Sequence, residues 1–173
     1  MDIKNCSART IPSRGFTLIE ILVVMGMLAL LSTIVLVAVN PLRQFAQARN
    51  TQRQANVSAI LNAVGNRLAD NRGIFTGDLC TKEIPPTATV MGKADATQYD
   101  IRPCLVPAYL SDIPVDPTDG ASTCTTPVCN SDNQSYVTQY TIQQDAATQR
   151  ITVCAPKSVE PALSNPPMFC LTR

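Results

Sequence analysis

The sequence predicts an α+β protein. A long N-terminal α-helix spans a membrane with its first half and packs its second half on a small antiparallel β-sheet stabilised by disulfides. Three observations carry this expectation. Residues 16–39 form an apolar run of membrane length. Val57, Ile60, Leu61, Val64 and Leu68 then recur at helical spacing. The tail beyond residue 73 combines strand-like alternation with six of the seven cysteines.

Composition narrows the function classes. The 173 residues leave room for one compact domain plus an extended element. A net charge of +1 gives no argument for nucleic acid or an acidic substrate. Histidine is absent, which removes the commonest general base and the commonest metal ligand. The tail also lacks a Gly-x-Ser-x-Gly signature, so a membrane-anchored extracellular enzyme is disfavoured and no catalytic residue is assigned.

Residues 1–15 carry Lys4, Arg9 and Arg14 against Asp2 and contain no apolar run, as a cytoplasmic leader would. A secretory signal places its small-residue cleavage site after the apolar region. Here the small residue, Gly15, precedes that region, so cleavage after it leaves the apolar helix on the mature chain.

Within 16–39 the clearly polar residues are Thr17, Glu20, Ser32 and Thr33. Basic residues flank the run on both sides, Lys4, Arg9 and Arg14 before it and Arg43, Arg49 and Arg53 after it, so charge alone leaves the orientation open. The downstream cysteines place the C-terminal part in an oxidising compartment, giving a single pass with the N-terminus inside. Buried free thiols in a cytosolic domain are the bland alternative.

Glu20 is the sharpest signal. Ionisable groups in membrane segments are rare, and a central charge costs ~2.5–3.5 kcal/mol on insertion scales. Lying about 6 Å along the axis from the start of the run, it can stay near the headgroups. In a dry bundle of like helices it needs a cationic partner. Cleavage after Gly15 creates one, the α-amino group of Phe16, and neighbouring subunits staggered along an assembly axis can bring the two together. A carboxylate favoured by the helix dipole, at ~0.3–1 kcal/mol, is the bland alternative.

Residues 40–72 read as an amphipathic continuation. Pro41 bends or loosens the helix by removing a ladder hydrogen bond. Asp70-Asn71-Arg72-Gly73 supplies a stop, with the glycine suited to the C-terminal cap. A helix over 16–69 would be on the order of 80 Å long at ~1.5 Å per residue, too long for one small domain.

Residues 73–173 form the β-rich head. Residues 74–112 read as loops with a short strand near 88–91, and 109–120 as a loop dense in turn signals. The clearest strand is 136–143, where Tyr136, Thr138, Tyr140 and Ile142 alternate with Val137, Gln139, Thr141 and Gln143. Residues 150–155 are its hairpin partner. Residues 156–173 are proline-rich and tacked down through Cys170. Six cysteines allow fifteen pairings; preferring neighbours that pin loops to the sheet suggests Cys80–Cys104, Cys124–Cys129 and Cys154–Cys170. Cys124-x4-Cys129 is not a Cys-x-x-Cys redox pair, and zinc would need four thiolates.

The string Gly15-Phe16-Thr17-Leu18-Ile19-Glu20 followed by Ile21-Leu22-Val23-Val24 resembles the class III signal of type IV pilins and of the related pseudopilins of type II secretion and DNA-uptake systems. The resemblance covers residues 14 to about 70 and implies a pilin-like fold. It implies that a membrane aspartyl peptidase cuts after Gly15 and methylates the new amine of Phe16, and that Glu20 is the assembly glutamate. The implied partners are identical or homologous subunits, the peptidase/methyltransferase, an inner-membrane platform with its ATPase, and lipid before assembly. Nucleic acid would be a partner only through the filament's own function.

The implied location is the cytoplasmic membrane and then a surface filament with apolar helices in its core. Fibre-tip pseudopilins often lack the glutamate, so Glu20 favours a core-forming subunit. Three possible disulfides favour a pilus over a secretion or competence pseudopilus. One departure is that Pro41 lies four residues later than the family's usual helix proline. Cys154–Cys170 would resemble the C-terminal disulfide loop of pilins. Residues 112–119 loosely resemble a proline-aspartate loop of major secretion pseudopilins, which bind calcium elsewhere in their C-terminal loops. Asp112, Asp116 and Asp119 are weak calcium candidates, because Asp before Pro or Gly is usually turn chemistry and the spacing is no calcium loop. No other cofactor is expected.

Overall fold

A computed structural model describes residues 15–38, 40–77, 79–124, 134–164 and 166–173. The leader residues 1–14 and Cys129, hence the Cys124–Cys129 pairing, lie outside the described residues. The chain divides into two units, Met1–Pro41 and Leu42–Arg173.

The first unit is helix α1, Leu18–Ala38. Side chains from Leu18 to Val35 are exposed, an apolar surface broken by Glu20, Ser32 and Thr33 that water does not tolerate and lipid or like helices do. By length and composition this stretch can cross a membrane. Its two mid-helix hydroxyls are satisfied internally: Ser32 donates to the Leu28 carbonyl at 2.7 Å and Thr33 to the Ala29 carbonyl at 2.8 Å. That leaves no orphan donor to face a hydrocarbon environment from these residues.

The second unit, from Leu42 on, is built on helix α2, Pro41–Asp70. Asn40 is not helical, and Pro41 occupies the first helical position, where its missing N–H would have had no partner in any case. Val57, Ile60, Leu61 and Val64 are buried and Leu68 packs against the same core. The helix stop is where the turn residues indicate, with one difference. Arg72, at φ 57°, already takes the left-handed conformation, and Gly73, at φ 88°, follows it and donates to the Leu68 carbonyl at 2.7 Å. This six-to-one bond closes the helix end in a Schellman arrangement.

The sheet comprises β1 (Thr89–Gly92), β2 (Ala121–Cys124), β3 (Gln134–Gln144), β4 (Ile151–Ala155) and β5 (Phe169–Thr172). The strands pair antiparallel in the order β1-β3-β4-β5, with β2 also pairing β3, and an isolated parallel bridge joins Met91 to Tyr99. The α+β expectation therefore holds. Tyr136, Thr138, Tyr140 and Ile142 are buried while the residues between them are only half-buried, as period-two alternation requires. β3 and β4 form the expected hairpin, with Ile142 opposite Val153.

The alternation survives a local irregularity. Gln139 has φ 64° inside β3, and the register with β1 shifts between Val90 and Gly92. The buried Thr138 hydroxyl donates to the Met91 carbonyl at 2.9 Å and accepts the Tyr140 N–H at 3.0 Å, so the distorted backbone is not left unpaired. Glycine is required at 92, because a Cβ there would lie 2.8 Å from the Tyr136 carbonyl.

Among the described residues, β2, β5 and the short helix α3, Arg102–Leu105, have no expectation behind them. Each has four residues, too few to display a period. β5 exists through its partner: Cys170 lies opposite Cys154 on β4, and a disulfide joins them. A second disulfide joins Cys80 to Cys104, tying the segment after α2 to α3. The same segment is gripped by Arg67 of α2, which donates to the carbonyls of Phe75 at 2.6 Å and Cys104 at 2.9 Å.

Candidate processing and assembly site

The N-terminal stretch combines a non-helical start, a capped helix and an acidic first turn. Gly15, Phe16 and Thr17 precede the helix, and Thr17 caps it. The Glu20 N–H lies 3.3 Å from the Thr17 hydroxyl and 3.1 Å from its carbonyl. Threonine followed three residues later by glutamate is the sequence form of a capping box, and it places an acid where the helix dipole is positive. The Gly15–Phe16 peptide bond consequently lies outside the first helical turn.

Gly15 has no structural need to be glycine. Among the described residues, a Cβ placed on it would meet nothing within 4 Å. Phe16 is likewise not a core residue, being 78% exposed. Among the described residues, packing within the chain therefore does not account for either residue type.

The three candidate calcium carboxylates do not form one site. Asp112 pairs with Arg102 and accepts the Ile113 N–H at 2.7 Å. Asp119 pairs with Lys157 at 3.0 Å on the surface. Asp116 is fully buried and accepts from Arg53 through both oxygens, at 2.6 and 3.2 Å. Each carboxylate already has its own cation, so the trio does not fit a calcium ion. Among the described residues no group of three or more Cys, Asp or Glu is placed to hold a metal.

A charged cluster on α2 is the feature that sequence reasoning missed. Arg53 bridges Asp116 and Glu160, and Arg49 holds Glu160 through two bonds of 2.8 Å. Burial pushes the Asp116 carboxyl up, but hydrogen bonds from Arg53 and from the backbone of Thr118 and Asp119 outweigh it and hold the group below its ordinary value. Hydrogen bonding from Arg49, opposed by partial burial and reinforced by Arg53, brings Glu160 down to about 2. The signal was present, because Arg53 lies four residues before Val57 on the buried stripe. A charge on that face calls for a buried partner.

Residues 12–36 match the family model described as the prokaryotic N-terminal methylation motif, which spans Gly15, Phe16, Glu20 and most of α1. No curated protein and no solved structure gives a significant match.

Proposed function

We propose that this chain, carrying a prokaryotic N-terminal methylation motif, is a type IV pilin-like prepilin: a membrane-stored subunit that becomes the building block of a helical surface filament. The observation that carries the reading is the coincidence of the motif at residues 12–36 with a Gly15–Phe16 bond that lies before the helix and an apolar helix exposed from Leu18 to Val35. In this reading a peptidase of the inner membrane cuts after Gly15 and methylates Phe16. The apolar α1 anchors the subunit in lipid first and packs among identical or homologous helices afterwards. Glu20 meets the Phe16 amine of a neighbour as a platform driven by its ATPase draws the subunit out. The chain performs no catalysis of its own.

Leaving the bilayer is favourable for Glu20 because the dry filament core supplies a paired cation, whereas lipid does not. Disulfides in the head support an oxidising destination outside the cytoplasm. Mass spectrometry of sheared surface filaments tests the proposal. A mature chain beginning at methylated Phe16 is expected in abundance. Recovery of the uncut chain from the membrane alone, in cells that process other substrates of the peptidase, overturns it.

A further inference from the structure

The Arg53 guanidinium carries five N–H bonds, and five oxygen contacts receive them. Nε donates to Asp116 Oδ2 at 2.6 Å. Nη1 donates to Glu160 Oε1 at 2.6 Å and to Asn50 Oδ1 at 2.8 Å. Nη2 donates to Asp116 Oδ1 at 3.2 Å and to the Thr118 hydroxyl at 2.8 Å. Arg53 and Asp116 have side chains only 1% and 0% exposed, so water is not an alternative partner for either.

Without the arginine, the ligand set is familiar from another chemistry. A carboxylate offering both oxygens, a second carboxylate, an amide carbonyl and a hydroxyl converge on one small volume. Hard oxygen donors of this kind bind divalent cations such as calcium. Here the centre is filled by a guanidinium, and Arg49 adds a second positive charge on Glu160. Two carboxylates already face two guanidinium groups, so a metal ion would bring excess charge into a buried place.

We propose that Arg53 is the built-in cation of this oxygen cage: it holds loop 112–119 and segment 156–163 on α2 without a metal, and its removal opens a site for calcium. The cage explains why three segments distant in sequence meet at one side chain. Asn50 serves the same junction at both ends of its amide, accepting from Arg53 and donating to the Ser158 carbonyl at 2.9 Å. The inference does not depend on the filament reading, since it concerns how the head holds itself together.

Thermal unfolding of the full-length chain in detergent micelles, in calcium chloride or in chelator, tests it. The wild-type midpoint is expected to be the same in both. Arg53→Ala is expected to melt lower in chelator by about 10 °C, and to regain stability in millimolar calcium. A wild-type midpoint that rises with calcium overturns the proposal, as does an Arg53→Ala protein that is fully stable in chelator or that stays destabilised in calcium. A second comparison holds even where Arg53→Ala does not fold. Arg53→Met combined with Asp116→Asn and Glu160→Gln is expected to melt higher than Arg53→Met alone and to ignore calcium, because no unpaired carboxylate remains buried. Equal melting of the two proteins overturns the charge-cage account and leaves only packing.

Discussion

Arg53 and Asp116, 63 residues apart in sequence, meet in the interior of the head through two hydrogen bonds of 2.6 and 3.2 Å. This fork-to-carboxylate contact joins α2 to loop 112–119, beside the buried Ile113 and the bond from Asn56 to the Val115 carbonyl. It also decides what Asp116 is for. A carboxylate engaged on both oxygens by an internal guanidinium is a structural anchor.

Breaking that contact from one side leaves a buried charge without its partner. Asp116→Ala is expected to destabilise the head by ~3–5 kcal/mol. Urea unfolding followed by circular dichroism measures this, and a loss below about 1 kcal/mol, the range of exposed pairs, would show the contact to be weak.

Acid should act through the same cluster. Asp116 and Glu160 are both held below their ordinary values, Glu160 at about 2 against a reference of 4.5. A depressed carboxyl contributes stability that is complete above its unfolded value and is lost as pH falls through its folded value. The melting temperature is therefore expected to fall from pH ~5 toward pH 2. Glu160→Gln should flatten that slope while lowering stability at neutral pH. An unchanged slope in Glu160→Gln assigns the acid sensitivity elsewhere.

The disulfide between Cys154 and Cys170 closes a segment with a sequence separation of 16 and holds β5, a strand of four residues, against β4. Replacing both cysteines by serine is expected to cost ~3 kcal/mol on the chain-entropy account. Hydrogen exchange should show the β5 amides losing protection before those of β3. Equal protection of the two strands in the variant would mean that β5 is held by its backbone pairing alone.

The N-terminal assignments give separable outcomes under the proposed function. Gly15→Leu is expected to leave an uncut precursor, detected by its mass. Glu20→Ala is expected to mature normally and fail to build filaments. Efficient maturation of Gly15→Leu removes the cleavage assignment, whereas normal filaments from Glu20→Ala remove the charge-pairing argument and leave cleavage untouched.

What was legible in the sequence follows from how local each signal is. The apolar run, the stripe from Val57 to Leu68 and the alternation from Tyr136 to Ile142 are patterns carried by neighbouring residues, and a single chain read in order displays them. The stop over 70–73 and its glycine were legible, and the structure adds that Arg72 as well as Gly73 adopts positive φ. A Schellman end fixes two residues through a bond to Leu68, a detail that turn chemistry alone does not supply.

Tertiary structure alone decided the rest. β2 and β5 are strands because β3 and β4 offer them open edges, not because their four residues insist on it. Asp112, Asp116 and Asp119 look alike as a row of loop acids, yet folding hands them three different cations from three different places, Arg102, Arg53 and Lys157. The sequence by itself determined the motif, the apolar helix and the core stripe, because those depend on periodicity and composition. Which buried charge faces which depends on distances across the fold, and a Coulombic partner 63 residues away leaves no periodic trace in the chain.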